Sequence, residues 1–372
     1  MSGKGNGMGG DQRLPRLYAV IPAGGSGTRL WPASRRGQPK FLLPLPGPRS
    51  MVQATVDRLA PLVPYARVYV VTGSSHAVAV ARQLPELPAE NILVEPAARG
   101  TGPAIGLAAA LIARRDPEAI MGSFAADHHV GEPERFRSAV LAAVRAAEQG
   151  YLVTIGITPS YPETGYGYIR CGRPLLEHEG FVVHEVEEFK EKPDRATAEA
   201  YLRSGHYLWN ASMFVWRVST LLETMRRLLP AVYQVLDTIV TAWGTPGRDD
   251  TLAQLWPQLP EVTIDHGIME RAERVAVVPA DFGWTDLGDW HSLGELLGAG
   301  EGATIAVGCP VIAEETEATL VYGRGRTVVT LGVKNLVIVD TEDVVLVCDR
   351  SRAQDVRWIV RRLEEEGKLL LV

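Results

Sequence analysis

The sequence predicts an α/β protein, a doubly wound and mostly parallel sheet followed by a small all-β C-terminal domain. Three observations predict it. Short apolar runs bounded by glycine alternate with helix-spaced segments as far as residue 157, the order expected when each strand crosses through a helix to a parallel neighbour. The first run leads directly into a glycine-rich loop at residues 24–27, where ligands bind in such sheets. From residue 303 the rhythm changes to closely spaced apolar strands separated by turn residues.

In chain order, residues 18–23 (YAVIPA) form a short apolar run suited to a buried parallel strand. A helical pattern follows at 52–62, a strand at 67–72 and a helix near 76–84. A short strand at 92–95 precedes an Ala-rich helix at 102–115 and a strand at 120–125. A helix at 133–149, with Gly150 beyond it as a C-terminal glycine, leads to a strand at 152–157. Longer β-rich segments with inserted helices run to about residue 297. The strings TLVYG, RTVVTLGV and NLVIVDTEDVVLVCD then suggest a few coils of a β-helix, closed by a helix near 353–366. The expected organisation is a flexible tail at 1–16, a large domain at 17–300 and a β-rich domain at 301–372. The last reads as an appendage whose removal leaves the chemistry intact.

Composition narrows the function classes. A chain of 372 residues can bury a large core. A net charge of −6 argues against a nucleic-acid scaffold, while leaving anionic ligands to local cations. Cys171, Cys309 and Cys348 are far apart and form no CxxC pair, so neither a disulfide framework nor a zinc site is indicated. The start, MSGKGNGMGGDQR, has no apolar signal segment, and no apolar run is long enough to span a bilayer. A cytoplasmic protein without nucleic-acid or membrane partners is expected.

The chemistry begins at the glycine loop. Gly24, Gly25 and Gly27 remove Cβ atoms where backbone N–H groups would close on an oxyanion. Arg29 and Lys40 add two cations, one suited to bidentate phosphate contact and one a point charge. A dinucleotide fingerprint fails because Leu30 stands where its last glycine belongs, and no acidic residue follows about twenty positions on. A Walker A loop fails because no Gly-Lys-Ser/Thr follows. Three clustered glycines alone fit a tight turn equally well. The whole string GGSGTRLWP, followed by PKF, resembles the signature of sugar-1-phosphate nucleotidylyltransferases, and WPxSR is similar to the mannose-1-phosphate guanylyltransferase branch.

Further strings resemble that family in the same order. EPAARGTGPAI (95–105) leads from a strand into a helix, where Thr101 fits a cap and the first amides suit a polar ligand. Gly100 and Gly102 replace the family's usual Asn and Ala, which removes side-chain contact from position 100 and leaves backbone contact. AADHHV (125–130) puts Asp127 at a strand's carboxyl edge, where a turn or a Mg²⁺ site would use it. Adjacent His128 and His129 would point to opposite faces and make a poor metal pair. ETGYGYI (163–169) fits a β-bulge or a close backbone approach. EKP (191–193) fits a surface ion pair or a sugar-phosphate contact. WNASMFVW (209–216) sets Asn210 beside a buried aromatic run. In TIDHGIME (263–270) Asp265 fits a cap and Glu270 a helix interior, while WTDLGDW (284–290) places Asp286 between tryptophans.

What the resemblance implies is specific. The fold would be the Rossmann-like nucleotidyltransferase fold. The activity would be transfer of GMP from GTP to α-D-mannose 1-phosphate, giving GDP-mannose and pyrophosphate with Mg²⁺ as cofactor. Ala23, Gly24, Gly25, Gly27, Thr28, Arg29, Glu95 and Thr101 would bind the nucleotide. Gly165, Glu191, Asn210 and Asp265 would read the sugar. Arg29, Lys40 and Lys192 would act on the phosphates, and Asp127 and Asp286 would hold the metal. Other readings are transfer of another base to another sugar, such as thymidylyl transfer to glucose-1-phosphate, and a regulatory subunit without turnover. A single activity is expected, with a homodimer as an allowed assembly.

Overall fold

The computed structural model describes residues 16–25, 27–299 and 302–372. The tail expected at 1–16 therefore lies, save Arg16, outside the described residues, as does part of the expected seam near residue 300. Strand β1 (Leu17–Ala23) shows why the sheet forms between two helical layers. Leu17, Ala19, Ile21 and Ala23 enter one hydrophobic core and Tyr18 and Val20 the other, the period-2 pattern of a strand buried on both faces. Helix α1 (Met51–Leu59) begins with a capping box, in which Ser50 and Gln53 satisfy each other's backbone N–H groups. Strand β2 (Val68–Gly73), helix α2 (Ser74–Gln83), strand β3 (Ile92–Glu95) and helix α3 (Thr101–Arg115) follow. Next come β4 (Ile120–Ser123), the short β5 (His129–Val130), α4 (Pro133–Ala147), which starts on proline, and β6 (Leu152–Ile157).

The inserted region contributes β7 (Tyr168–His178), β8 (Phe181–Lys190), α5 (Arg195–Ser204), β9 (Tyr207–Arg217) and helices α6 (Val218–Leu228), α7 (Pro230–Ala242) and α8 (Arg248–Leu255). Strands β10 (Val275–Ala280) and β11 (Trp284–Thr285) and helix α9 (Trp290–Leu296) complete it. The main sheet has the order β3-β2-β1-β4-β9-β6-β10-β8-β7. Strands β9 and β8 run against the others, so the sheet is mostly parallel in direction. Buried residues of α1, α2 and α4 fill one face and those of α3, α6 and α7 the other. The doubly wound, mostly parallel fold is as the sequence predicts.

The C-terminal strands are β12 (Ile305–Val307), β13 (Val311–Glu314), β14 (Leu320–Tyr322), β15 (Val328–Leu331), β16 (Leu336–Asp340) and β17 (Val345–Asp349), followed by helix α10 (Val356–Glu365). Ile305 pairs in parallel with Leu320 and Leu320 with Val337, so the chain returns to the same edge once per coil, as in a β-helix. These coils share one core with Leu30, Trp31 and Leu43 from the segment after β1 and with Trp290 at the start of α9.

Candidate active site

The glycines after β1 serve two purposes. A Cβ on Gly24 or Gly25 would meet nothing within 4 Å, because both face a cleft of about 300 Å³. Gly25 has φ +84°, a conformation that costs glycine little. Gly27, at φ +63°, is needed for packing instead: a Cβ there would lie 2.6 Å from the Cβ of Lys40. The loop exit is a compact knot. Leu30 N donates to Gly27 O at 2.9 Å and Ser34 Oγ to the same carbonyl at 2.6 Å. The 3-10 turn Thr28–Leu30 between them carries Arg29. Arg29 faces a second cleft, of about 610 Å³, with Gly165, Tyr166 and Asp286, rather than the cleft lined by Gly24 and Gly25.

A short ladder joins the two clefts. Strands β5 and β11 pair antiparallel, Trp284 with Val130 and Thr285 with His129, which brings Asp127, just before β5, to Asp286, just after β11. Gly131 and Gly283 permit it, since a Cβ on Gly283 would lie 3.2 Å from Gly131 Cα. Buried Lys40 stitches the junction: its Nζ lies 2.9 Å from Asp127 Oδ2 and donates to the backbone carbonyl of Asp286. Burial pushes the Asp127 carboxyl up, but Lys40, with His128 and a backbone hydrogen bond beside it, holds the pKa below the usual value. Tyr166 OH donates to Asp286 Oδ1 at 2.8 Å, as does Gly288 N at 3.0 Å. Burial and this carboxylate raise the Tyr166 pKa far above its ordinary value, so it stays a donor.

These donors suit a hard cation. Each of the two carboxylates has a second oxygen to offer, and no cluster of three His, Cys, Asp or Glu ligands exists among the described residues. Mg²⁺ fits such a pair, because it keeps waters and takes one or two carboxylates plus substrate phosphates. His128 is not part of that set. Burial lowers its pKa to about 4, and its Nδ1 accepts from Trp284 Nε1 at 3.3 Å.

The first cleft's other wall departs from the expected capping. The residue before α3 is Gly100, at φ 77° and ψ 175°, and no side chain caps the helix. Thr101 Oγ1 accepts instead from Ile264 N at 2.9 Å, and Gly102 N is taken by Val262 O at 2.9 Å. With Pro103 lacking an N–H, this helix start has fewer amides for a ligand than the sequence suggests. A Cβ on Gly100 would lie 2.5 Å from Val262 O and one on Gly102 2.9 Å. The glycines that replace the usual Asn and Ala thus answer to the close approach of residue 262. Glu95 lines the same cleft. Its Oε2 is buried without a partner, and burial pushes its pKa up to about 7.

Asn210 and Asp265 form one buried unit, with Asn210 Nδ2 donating to Asp265 Oδ1 at 2.7 Å and Thr154 Oγ1 to Asn210 Oδ1 at 2.8 Å. Ser212 N also donates to Asn210 Oδ1, at 3.1 Å. The β6–β9 register shifts at this point, and Ser212 sits at φ 49°, a cost for a non-glycine that clusters at functional sites. Asp265 opens the π-helical turn Asp265–Met269 without capping it, contrary to the cap expected, and lines the glycine-loop cleft with Ser212. Burial raises the Asp265 pKa; burial and then Asp265 raise that of Glu191. Glu191 Oε1 pairs with Lys192 Nζ at 3.2 Å, and its Oε2 is buried without a partner. A Cβ on Gly167 would lie 2.5 Å from that oxygen, which explains one glycine of GYG. Gly165 N is engaged by Glu163 Oε1 at 2.7 Å. Glu270 ends the turn rather than sitting inside a helix, and its Oε1 accepts from Glu191 N at 2.7 Å.

Sequence reasoning singled out the glycines of ETGYGYI and passed over Tyr166 between them, the residue that holds Asp286. It also passed over Ser212 and the role of Glu270. The only signals available were a tyrosine flanked by glycines and a His266/Glu270 pair at helical spacing, joined here at 2.8 Å.

A nucleotidyl transferase family model matches residues 18–299, and a model described as a MannoseP isomerase/GMP-like beta-helix domain matches residues 310–363. The mannose-1-phosphate guanylyltransferase of Escherichia coli (strain K12) is 41% identical over 95% of this chain and 74% of its own length. Mannose-1-phosphate guanylyltransferase ManC of Salmonella typhimurium is 40% identical over 96% of this chain and 75% of its own. A solved Thermus thermophilus structure, described as a mannose-1-phosphate geranyltransferase, superposes with TM-score 0.85 at 37% identity, covering 94% of this chain and 99% of that one.

Proposed function

This chain belongs to the mannose-1-phosphate guanylyltransferase family, and we propose on that premise that it transfers GMP from GTP to α-D-mannose 1-phosphate, forming GDP-mannose and pyrophosphate. The observation that carries the reading to these residues is the junction at Lys40. There Lys40 links Asp127, which lines the glycine-loop cleft with Glu95 and Asp265, to Asp286, which lines the second cleft with Arg29.

In this reading a phosphate oxygen of mannose 1-phosphate attacks the α-phosphorus of GTP, and the bond from that phosphorus to the bridging oxygen of pyrophosphate breaks. The nucleophile is already ionised, so no general base is required. The protein's work is positioning and charge neutralisation. Backbone N–H groups at Gly24, Gly25 and Gly27, with Thr28 beyond them, cradle the triphosphate that follows Ala23, and Arg29 meets its phosphates from the second cleft, across the Lys40 junction. Lys40 and Lys192 balance phosphate charge. Asp127 and Asp286 would hold Mg²⁺, which when bound neutralises phosphate oxygens at the reacting centre. Family members use a divalent cation, and its identity as Mg²⁺ is part of the proposal. Glu95 and Thr101 meet the base: guanine presents its N1–H and 2-amino donors side by side, and a carboxylate accepts both. Glu191, Asn210 and Asp265, with Gly165 near by, read the sugar hydroxyls.

The proposal assigns residues 17–300 to catalysis and 301–372 to the β-rich module, with a homodimer as an allowed assembly. No helix among the described residues is long and apolar enough to cross a membrane; a cytoplasmic setting belongs to the proposal. The test is initial pyrophosphate release with GTP, ATP and dTTP against mannose-, glucose- and N-acetylglucosamine-1-phosphate. GTP with mannose 1-phosphate should lead, because sites built to hydrogen-bond a group reject analogues lacking it by about 10⁴-fold. Comparable kcat/KM for the three nucleotides would refute the guanylyl assignment and leave the fold untouched.

A further inference from the structure

The strip Trp31–Arg36, directly after the turn that carries Arg29, is occupied by contacts to the C-terminal module rather than by the clefts. Trp31 Nε1 donates to Leu371 O at 2.6 Å, and Trp31 O accepts from Trp290 Nε1 at 2.9 Å. Arg35 forms a bidentate pair with Asp343, at 3.1 and 2.8 Å, and reaches Leu370 O at 3.3 Å. Its guanidinium also lies over the Trp31 ring. Arg36 pairs with Glu364 at 2.7 Å. Leu30, Trp31 and Ala33 are buried in the same core as Tyr322, Val339, Val360 and Val372. The strip is thus clamped between α9, which begins four residues beyond Asp286, and residues 343–372.

We infer that residues 343–372 position the nucleotide loop: by fixing Trp31 and Arg35 they fix the turn Thr28–Leu30, and so the place of Arg29. This goes further than the appendage predicted from sequence. It rests on the reading of the glycine loop as the triphosphate cradle. Two rigid attachments on a short loop exit, one through Trp31 and one through Arg35, leave the preceding turn little freedom. Placement of a phosphate-binding cation matters steeply, since an error of about 1 Å costs about 10²-fold in rate.

The test uses the full chain with two variants. Trp31→Phe keeps an aromatic side chain, though a smaller one, and loses the donor to Leu371. Asp343→Asn weakens the Arg35 clamp at a half-exposed position where folding is not at stake. The expected result is a fall in kcat/KM for GTP of about 10- to 10²-fold, with KM for mannose 1-phosphate near wild type and recovery in Asp343→Glu. A purely structural role would lower the melting temperature and move neither substrate selectively. If Trp31→Phe does not fold, Asp343→Asn against Asp343→Glu decides. Folded variants with unchanged GTP kinetics, or with losses shared equally by both substrates, overturn the inference alone. A wild-type protein that neither binds GTP nor releases pyrophosphate overturns the cradle reading and the inference with it.

Discussion

The two walls of the glycine-loop cleft are built by opposite means. On one side the chain offers backbone: Gly24 and Gly25 open to the cleft, with no Cβ between their backbone and it. On the other, Thr154, Asn210 and Asp265 make a buried side-chain network, with Glu191 and Glu270 fixed by a neighbouring backbone bond. A backbone wall is preorganised by where side chains are missing, and it accepts any suitably charged group. A side-chain wall can discriminate, because each buried polar atom left unpaired carries a cost. On the proposed reading, polyphosphate binding belongs to the first and sugar recognition to the second. The Lys40 junction belongs to both.

That contrast is open to test, first at the junction. Asp127→Asn and Asp286→Asn should each fold, yet lose on the order of 10²–10⁴ in kcat, because charge balance at the reacting phosphorus is worth several kcal/mol. Both act at one place, so the double variant should be little worse than the worse single. Pyrophosphate release across a Mg²⁺ titration, with circular dichroism on each variant, decides it. Additive losses would separate the two carboxylates.

The side-chain wall should answer next. Asn210→Ala removes the donor to buried Asp265 and the acceptor for Thr154 and Ser212. Lost hydrogen bonds to a charged group cost about 1.5–3 kcal/mol, roughly ten- to a hundredfold. The increase should fall on KM for mannose 1-phosphate. If KM for GTP rises instead, the assignment of the two walls is reversed.

The smallest effect concerns pH at the nucleotide wall. Burial raises the Glu95 carboxyl from 4.5 to about 7. The folded chain then keeps a proton that the unfolded chain releases, so this group's contribution to stability declines as pH rises from about 4.5 through 7. GTP affinity should move the other way, weakening by up to about tenfold per unit below pH 7, because guanine's donors need the carboxylate. Glu95→Gln should flatten both profiles. Calorimetric binding of GTP from pH 5.5 to 8 checks it, and an unchanged slope in the variant would free Glu95 from the base.

How much of this was legible differs between the walls for the same reason. Glycines that must expose backbone leave a local trace, and residues 24–27 could be read as an oxyanion loop from neighbours in sequence alone. Residue 101 could not: a threonine before a helix reads as a cap, and only the approach of Ile264 turned its hydroxyl aside. Tyr166 carried only the weak signal of its two flanking glycines, and its role came with Asp286, just after β11, meeting its hydroxyl.

By itself the sequence determined the alternation of buried strands and amphipathic helices, the glycine loop after the first strand and the change to short coils after residue 303, because each depends on periodicity or on backbone freedom within a few residues. Tertiary structure alone decided that Arg29 faces the second cleft, that Lys40 lies between Asp127 and Asp286, and that the C-terminal coils grip Trp31 and Arg35. Those facts rest on segments hundreds of residues apart meeting through shared burial, and burial of a common core has no local signature in the chain.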